Sequence, residues 1–135
     1  MDSDRLEGLT VAMMEGGLGT RLHPPYRVFP IVRNGTLVGG LLFNDFNGAN
    51  IEWTVFAPTG LSRSAMRFSA QYAFDACHCT RMTARTRRSN TGVKKMLQKA
   101  GWIYEGTMQR YYGPLKRDDA HLYRLDREAA ERWLA

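Results

Sequence analysis

Residues 51–74 decide the fold, and they read IEWTVFAPTGLSRSAMRFSAQYAF. The segment from Ile51 to Pro58 is short, rich in β-branched and aromatic residues, and closed by a proline, which predicts a buried strand. From Leu61 onward, apolar and small residues recur at steps of three and four, which predicts an amphipathic helix. The expected inner face of this helix consists of Leu61, Ala65, Phe68, Ser69, Tyr72, Ala73 and Ala76.

Gly60 lies at the junction between this strand and this helix. A chain that turns through a glycine into a helix leaves backbone N–H groups free at the positive end of the helix dipole. Such a junction binds anions, phosphate above all, but it also occurs where nothing binds. The junction is therefore either an anion site or an ordinary helix start.

The rest of the chain predicts an α+β fold with a mixed sheet. Antiparallel first strands lead into the central strand–glycine–helix junction, and two αβ units follow it. The predicted elements are a helix over 4–15 capped by Asp4, strands over 26–33 and 36–43 joined at Asn34-Gly35, a strand over 80–86, a helix over 91–100 capped by Ser89-Asn90, strands over 102–112 and 121–125, and a helix after Asp126. Gly39-Gly40 inside the second strand predicts a bulge or a close approach of another chain segment.

Length and composition exclude several classes of protein. The chain has 135 residues, 44% of them hydrophobic, so we expect a single globular domain over 1–135. It has no apolar run long enough to span a membrane and no signal peptide, so we expect a cytoplasmic protein. A net charge of +6 favours anionic partners, although an ordinary basic surface explains it equally well. Cys77-His78-Cys79 has no second pair of ligands nearby, so we expect reduced thiols and no metal.

Four pieces of the sequence carry a family resemblance. They are the strand ending Leu37-Val38-Gly39-Gly40, the strand over 51–57 with Gly60 and a helix ending Tyr72-Ala73-Phe74, the helix that opens with Ser89-Asn90-Thr91 and ends with Leu97-Gln98-Lys99-Ala100-Gly101-Trp102, and Glu105-Gly106 followed by Arg110-Tyr111. In this order, over about residues 26–125, the sequence resembles the GNAT superfamily of acyl-CoA-dependent N-acetyltransferases.

The sequence departs from the family pattern in three places. The pyrophosphate-binding signature is degenerate, because Ala57, Gly60 and Ser62 keep only its central glycine, and the loop is short. Residues 1–25 look helical or irregular and take the place of the usual first strand. Leu97 stands where the family usually has a tyrosine that acts as an acid.

The resemblance implies transfer of an acetyl group from acetyl-CoA to a primary amine of a protein N-terminus or a small molecule. In this interpretation Glu52 is the base and Tyr111, or Tyr112, is the acid. The remaining predicted contacts are to acetyl-CoA: backbone N–H groups near Val55, Phe56 and Ala57 for the thioester oxygen, Asn90 for the pantetheine arm, and Gly60, Leu61, Ser62 and Arg63 for the pyrophosphate.

Each of these residues also has a structural interpretation. Glu52 is equally an ordinary polar residue at a strand start, Asn90 a helix cap, Gly60–Arg63 a plain helix start, and the tyrosines half-buried strand aromatics. The alternative function is accordingly a catalytically inactive GNAT-fold module that binds a protein or nucleic acid. A basic stretch, made of Arg81, Arg85, Arg87, Arg88, Lys94, Lys95 and Lys99, is compatible with nucleic-acid binding, but the lack of an aromatic platform does not favour it.

Overall fold

The computed structural model describes residues 2–134. Its elements are α1 (Ser3–Leu18), β1 (Tyr26–Arg33), β2 (Thr36–Asn44), β3 (Asn50–Phe56), α2 (Arg63–Ala70) with a π-helical continuation (Gln71–Ala76), β4 (Arg81–Arg87), α3 (Thr91–Lys99), β5 (Ile103–Met108), a 3₁₀ turn (Lys116–Asp118), β6 (Ala120–Asp126) and α4 (Arg127–Leu134). The predicted α+β class and its order of elements are confirmed.

One six-stranded mixed sheet organises the molecule, in the order β1-β2-β3-β4-β6-β5. β1, β2 and β3 are antiparallel, whereas β3 and β4 are parallel and joined through α2. β6 is antiparallel to both β4 and β5. The hairpin between β1 and β2 turns at Asn34 and Gly35, which have positive φ angles of 53° and 77°. This geometry is what an Asn-Gly hairpin turn requires, as predicted.

The two faces of the sheet carry different packing. One face forms the larger core, in which Trp53 of β3, Met66 of α2, Leu97 of α3 and Trp133 of α4 are buried together. On the other face α1 packs over β1, β2 and β3 in a smaller cluster. The buried members of that cluster are Met14, Val28 and Leu42.

Gly39 and Gly40 show the predicted close approach, and a bulge lies beside them. Ile31 pairs with Gly39 and Val32 with Leu37, so Val38 is the extra residue of β2. A Cβ on Gly39 would lie 2.1 Å from the backbone oxygen of Phe56, and one on Gly40 would lie 2.6 Å from Met14 Sδ. The missing side chain of Gly39 therefore lets β3 approach closely, and the missing side chain of Gly40 lets α1 approach closely.

The first helix is longer than predicted. It is capped by Asp2, whose carboxylate accepts from the Arg5 N–H, and not by Asp4, and it ends at Gly19 with a φ of 71°. We expected the segment Gly16–Gly19 to end it after Glu15, and only the last of these glycines does so. A Cβ on Gly17 would lie 2.2 Å from the Phe56 ring, so this glycine is required for packing inside the helix and does not stop it.

The predicted inner face of α2 was partly wrong. Ser62 caps this helix, and its buried residues are Met66, Ser69, Ala70, Ala73 and Phe74. Phe68 is 40% exposed, and Ala76 is also exposed. The buried residues still recur at steps of three and four, so the predicted face had the right period but was displaced around the helix axis.

The strand predicted over 102–112 was too long. β5 ends at Met108, with an irregularity between Tyr104 and Gly106. Arg110 has a φ of 54°, which turns the chain out of the sheet. Residues 109–115 therefore form a loop that carries Tyr111 and Tyr112 beyond the end of β5.

Candidate active site

A cavity of about 900 Å³ lies where the pairing of β3 and β4 stops. The two strands pair from Asn50↔Arg81 to Trp53↔Ala84, and β3 then continues to Phe56 without a partner on β4. The other walls of the cavity come from the segment after α1, the end of β2, the first turns of α3, and the loop after β5. The parallel crossover through α2 thus places a gap at the centre of the sheet.

Five of the predicted site residues line this cavity: Glu52, Val55, Asn90, Tyr111 and its alternative Tyr112. Among the described residues, the predicted cofactor-binding positions Phe56, Ala57, Gly60, Leu61, Ser62 and Arg63 do not line it. Phe56 packs against the smaller core under α1. Ser62 lines a separate groove of about 380 Å³ together with Phe29 and Phe68. The predicted set is therefore divided between the cavity and the segment that follows β3.

Glu52 is held by an arginine on the neighbouring strand. Arg85 Nη2 donates to Glu52 Oε1 at 2.9 Å, and the side chains of Glu52 and Arg85 are only 18% and 25% exposed. Burial raises the pKa of the Glu52 carboxyl above its usual value, Arg85 opposes this increase, and the nearby carboxyl of Asp45 adds to it. A carboxylate with a raised pKa is a better proton acceptor near neutral pH.

Arg85 also holds Tyr111. Its Nη1 donates to Tyr111 Oη at 3.0 Å, and its guanidinium lies 4.7 Å from the centre of the tyrosine ring. The next arginine on this face of β4, Arg87, lies 4.5 Å from the ring of Tyr112 in the same way. Burial raises the pKa of Tyr112. The sequence interpretation had treated Arg85 as part of a basic stretch; its alternation with buried Ala84 and Thr86 is the signal that places it on the site face.

Two aspartates fix the loop that carries the tyrosines. Asp119 is 4% exposed; its Oδ1 accepts from the Arg110 N–H at 2.8 Å, and its Oδ2 lies 3.4 Å from Arg88 Nη1. The Arg110 N–H, and then Arg88, hold the pKa of Asp119 below its usual value. Asp118 accepts from the Leu115 N–H at 3.0 Å and pairs with Arg87 at 3.4 Å. This wall of the cavity is therefore preformed.

Known structures share this architecture. No protein-family model matches the sequence, and a search of curated proteins finds no match. A variant of the spermidine N-acetyltransferase SpeG from Vibrio cholerae superposes with a TM-score of 0.69 at 14% identity, over 91% of this chain and 75% of that one. Other mutant forms of the V. cholerae spermidine/spermine N-acetyltransferase SpeG superpose with a TM-score of 0.70 at 16% identity, over 98% of this chain and 81% of that one. A T. thermophilus protein of inferred acetyltransferase activity superposes with a TM-score of 0.70 at 20% identity, over 90% of this chain and 68% of that one.

The chain has the GNAT fold. At these identities the likeness shows the fold, and the chemistry has to be argued from the side chains. Within this GNAT fold, Leu97 is buried and lines the cavity, so the position where the sequence lacks the usual tyrosine is an apolar part of its wall. Asn90 is the cap of α3, its side chain accepting from the Val93 N–H at 3.2 Å.

The junction predicted to hold a pyrophosphate is a helix start with a side-chain cap. Gly60 has a φ of 100° and its N–H donates to the Ala57 carbonyl at 2.9 Å. Ser62 Oγ accepts from the Ala65 N–H at 3.1 Å and bonds Ser64 Oγ at 3.1 Å. The cap uses the Ala65 N–H, which is one of the donors that an anion would need. It does not use the N–H groups of the two residues before Ala65 in the first helical turn.

The basic stretch is largely neutralised by carboxylates. Its arginines form the pairs Arg81–Glu105, Arg85–Glu52, Arg87–Asp118 and Arg88–Asp119, at 2.9–3.4 Å. Lys95 and Lys99 are exposed on α3. Arginines engaged in this way do not form a continuous surface for backbone phosphates.

Two further observations concern the described residues, 2–134. No group of three or more His, Cys, Asp or Glu side chains in this range is arranged to hold a metal ion. None of the helices in the same range is both long and apolar enough to cross a membrane. Cys77 and Cys79 are free thiols, and burial raises the pKa of Cys79 to about 11.

Proposed function

We propose that this protein is an N-acetyltransferase that moves an acetyl group from acetyl-CoA to a primary amine of a protein N-terminus or a small molecule. The observation that carries the proposal is the cavity at the end of β3–β4 pairing, with the raised-pKa carboxyl of Glu52 in its wall. The structures with the same fold include spermidine N-acetyltransferases, whose named substrates are amines.

The cavity suits an extended thioester and an amine that meet at the gap in the sheet. Thr54–Phe56 have no strand partner on β4, so this edge of β3 can pair with the amide groups of a pantetheine arm. A backbone N–H near Val55 to Ala57 would then stabilise the oxygen of the thioester as it gains negative charge. Asn90 lies across the gap at the start of α3. The N–H groups at the start of α2, with Gly60, Leu61, Ser62 and Arg63, would meet the pyrophosphate outside the cavity.

Glu52 and Tyr111 would handle the protons. The amine must lose a proton before its lone pair attacks the thioester carbon, and Glu52 accepts that proton directly or through a water molecule. The C–N bond then forms and the C–S bond breaks, which leaves a thiolate and an extra proton on the new amide nitrogen, and this proton is lost to water. Tyr111 Oη accepts a hydrogen bond from Arg85, so its own O–H is free to donate a proton to that sulfur.

Acetyl-CoA titration by calorimetry tests this proposal, followed by transfer assays that measure released thiol. We expect a dissociation constant in the micromolar range and an increase in melting temperature on binding. Absence of heat and of a melting shift up to millimolar acetyl-CoA would contradict it.

The alternative is a GNAT-fold module without catalysis. The side-chain cap at Ser62 and the apolar residue at Leu97 favour it, because both remove groups that the family uses. Tight acetyl-CoA binding without thiol release for any amine would support this alternative. Thiol release that depends on an added amine would exclude it.

A further inference from the structure

The charged side chains of the cavity are unequally paired. Its lining contains three arginines and two carboxylates, namely Arg21, Arg85, Arg87, Asp45 and Glu52. Glu52 and Arg85 pair with each other, and Arg87 pairs with an aspartate outside the lining. Within residues 2–134, neither Arg21 nor Asp45 forms an ion pair. Asp45 lies beside the Glu52 carboxyl, so the cavity presents one arginine without an ion pair, Arg21, and two neighbouring carboxyls that share the single arginine Arg85.

Both of these groups lie on the side of the sheet that α1 covers. Glu52 is opposite Asn44 in the β2–β3 register, and Asp45, the next residue, lies near the Glu52 carboxyl. Arg21 belongs to the segment after α1, which is anchored where the Leu22 N–H donates to Glu15 at 2.9 Å. The start of α2, the predicted phosphate site, belongs to the opposite face, where Met66 packs in the larger core. Arg21 is thus placed for the acceptor and not for the phosphates.

We infer that the acceptor is a primary amine that also carries a carboxylate, and that a polyamine is a poor acceptor. This inference rests on the proposed function. The ammonium group would lie beside Asp45 and Glu52, and the carboxylate would pair with Arg21. Arg21 and Asp45 are exposed at the cavity, where opposite charges attract a ligand and set its orientation, with an arginine for the carboxylate and two carboxyls for the ammonium group. A second ammonium group would instead meet Arg21, and like charges oppose binding.

The first experiment compares acceptors that carry different charged groups. Thiol release from acetyl-CoA is measured with n-butylamine, 4-aminobutanoate and spermidine, the last being the substrate named for the structural relatives. A peptide with aspartate next to its N-terminus is compared with the same peptide carrying asparagine. We expect kcat/KM to be about 10- to 100-fold higher for 4-aminobutanoate or for the aspartate peptide than for its uncharged counterpart. The better of the two tells whether the carboxylate belongs to a small molecule or to a peptide.

The second experiment reverses the charge of Arg21. Arg21→Glu should raise KM for the preferred carboxylate-bearing amine by about 10- to 100-fold, with kcat nearly unchanged. It should also lower KM for spermidine. The matched control is Arg5→Glu, the same charge change at an exposed residue of α1 outside the cavity lining. The acetyl-CoA dissociation constant should be the same for all three proteins, which a general structural defect would not allow.

Three outcomes would overturn the inference. Spermidine acetylated as efficiently as the carboxylate-bearing amines is one, and acetyl-CoA binding without acetylation of any carboxylate-bearing amine is another. Weaker acetyl-CoA binding by Arg21→Glu is the third, because it would assign Arg21 to the phosphates. Failure of the proposed function looks different: wild-type protein would then bind no acetyl-CoA at all.

Discussion

Glu52 and Arg85 are 33 residues apart in the chain and 2.9 Å apart in the fold. If Glu52 accepts the proton of the amine, Glu52→Gln keeps the side-chain shape and removes the base. We expect kcat to fall about 100- to 10,000-fold. Calorimetry should give an unchanged acetyl-CoA affinity, because the proposed acetyl-CoA contacts do not include the Glu52 side chain. Unchanged turnover would remove Glu52 from the mechanism.

Arg85 predicts a shift in the pH dependence of the reaction. Glu52 has to be ionised to act as a base, so activity should fall as pH decreases through its pKa. Burial raises that pKa, and Arg85 lowers it by stabilising the carboxylate. Arg85→Gln should therefore move the acidic limb of the kcat profile to higher pH. A limb that stays in place, or moves to lower pH, would show that another group controls it.

At the scale of elements, the loop between β5 and β6 depends on Asp119. The pKa of Asp119 is lowered in the folded protein, so its stabilising effect is present above its unfolded-state pKa and is lost as pH falls through the folded-state value. Asp119→Asn should lower the melting temperature at pH 7, and the difference from wild type should shrink in acid. Asp75→Asn is the control, because its pair with Arg127 is about half exposed and should be worth less than about 0.5 kcal/mol. A difference that persists unchanged at pH 3 would contradict this account.

The contact of β2 with β3 makes Gly39 sensitive to substitution. A Cβ there would lie 2.1 Å from the Phe56 backbone oxygen, so Gly39→Ala has to displace backbone. We expect it to reduce the free energy of unfolding in urea by about 1–3 kcal/mol. Gly8→Ala in α1 meets nothing within 4 Å and should instead add about 0.5–1 kcal/mol. The two alanines should thus differ in sign, and equal effects would show that the close approach relaxes without cost.

Local signals in the sequence predicted most elements correctly, because their causes are local. The Asn34-Gly35 turn and the Asn90 cap depend on neighbouring backbone groups, and both were found. The inner face of α2 was misplaced although its period was right, because spacing alone does not decide which of two adjacent stripes of the helix meets the sheet. The pairing of Glu52 with Arg85 was not predicted either. It depends on the parallel register of β3 and β4, which composition and spacing do not specify.

The whole molecule has two hydrophobic clusters on opposite faces of one sheet. We propose that residues 1–135 nevertheless form a single domain, since β2 and β3 contribute residues to both clusters. Trp53, Trp102 and Trp133 all belong to the larger cluster, so tryptophan fluorescence reports on that cluster. Circular dichroism at 222 nm reports also on α1, which packs on the smaller one. If the clusters unfold together, the two signals give the same midpoint.

Ligand binding should stabilise this domain as a unit. Acetyl-CoA at about 100 times its dissociation constant should add about 2.7 kcal/mol to the free energy of unfolding. Both spectroscopic midpoints should then rise by the same amount, because the cavity is lined from both faces: by Glu52 and the segment after α1 on one, and by Val93 and Leu97 of α3 on the other. A rise in the fluorescence midpoint alone would mean that α1 melts independently, and that its face of the cavity is not closed around acetyl-CoA.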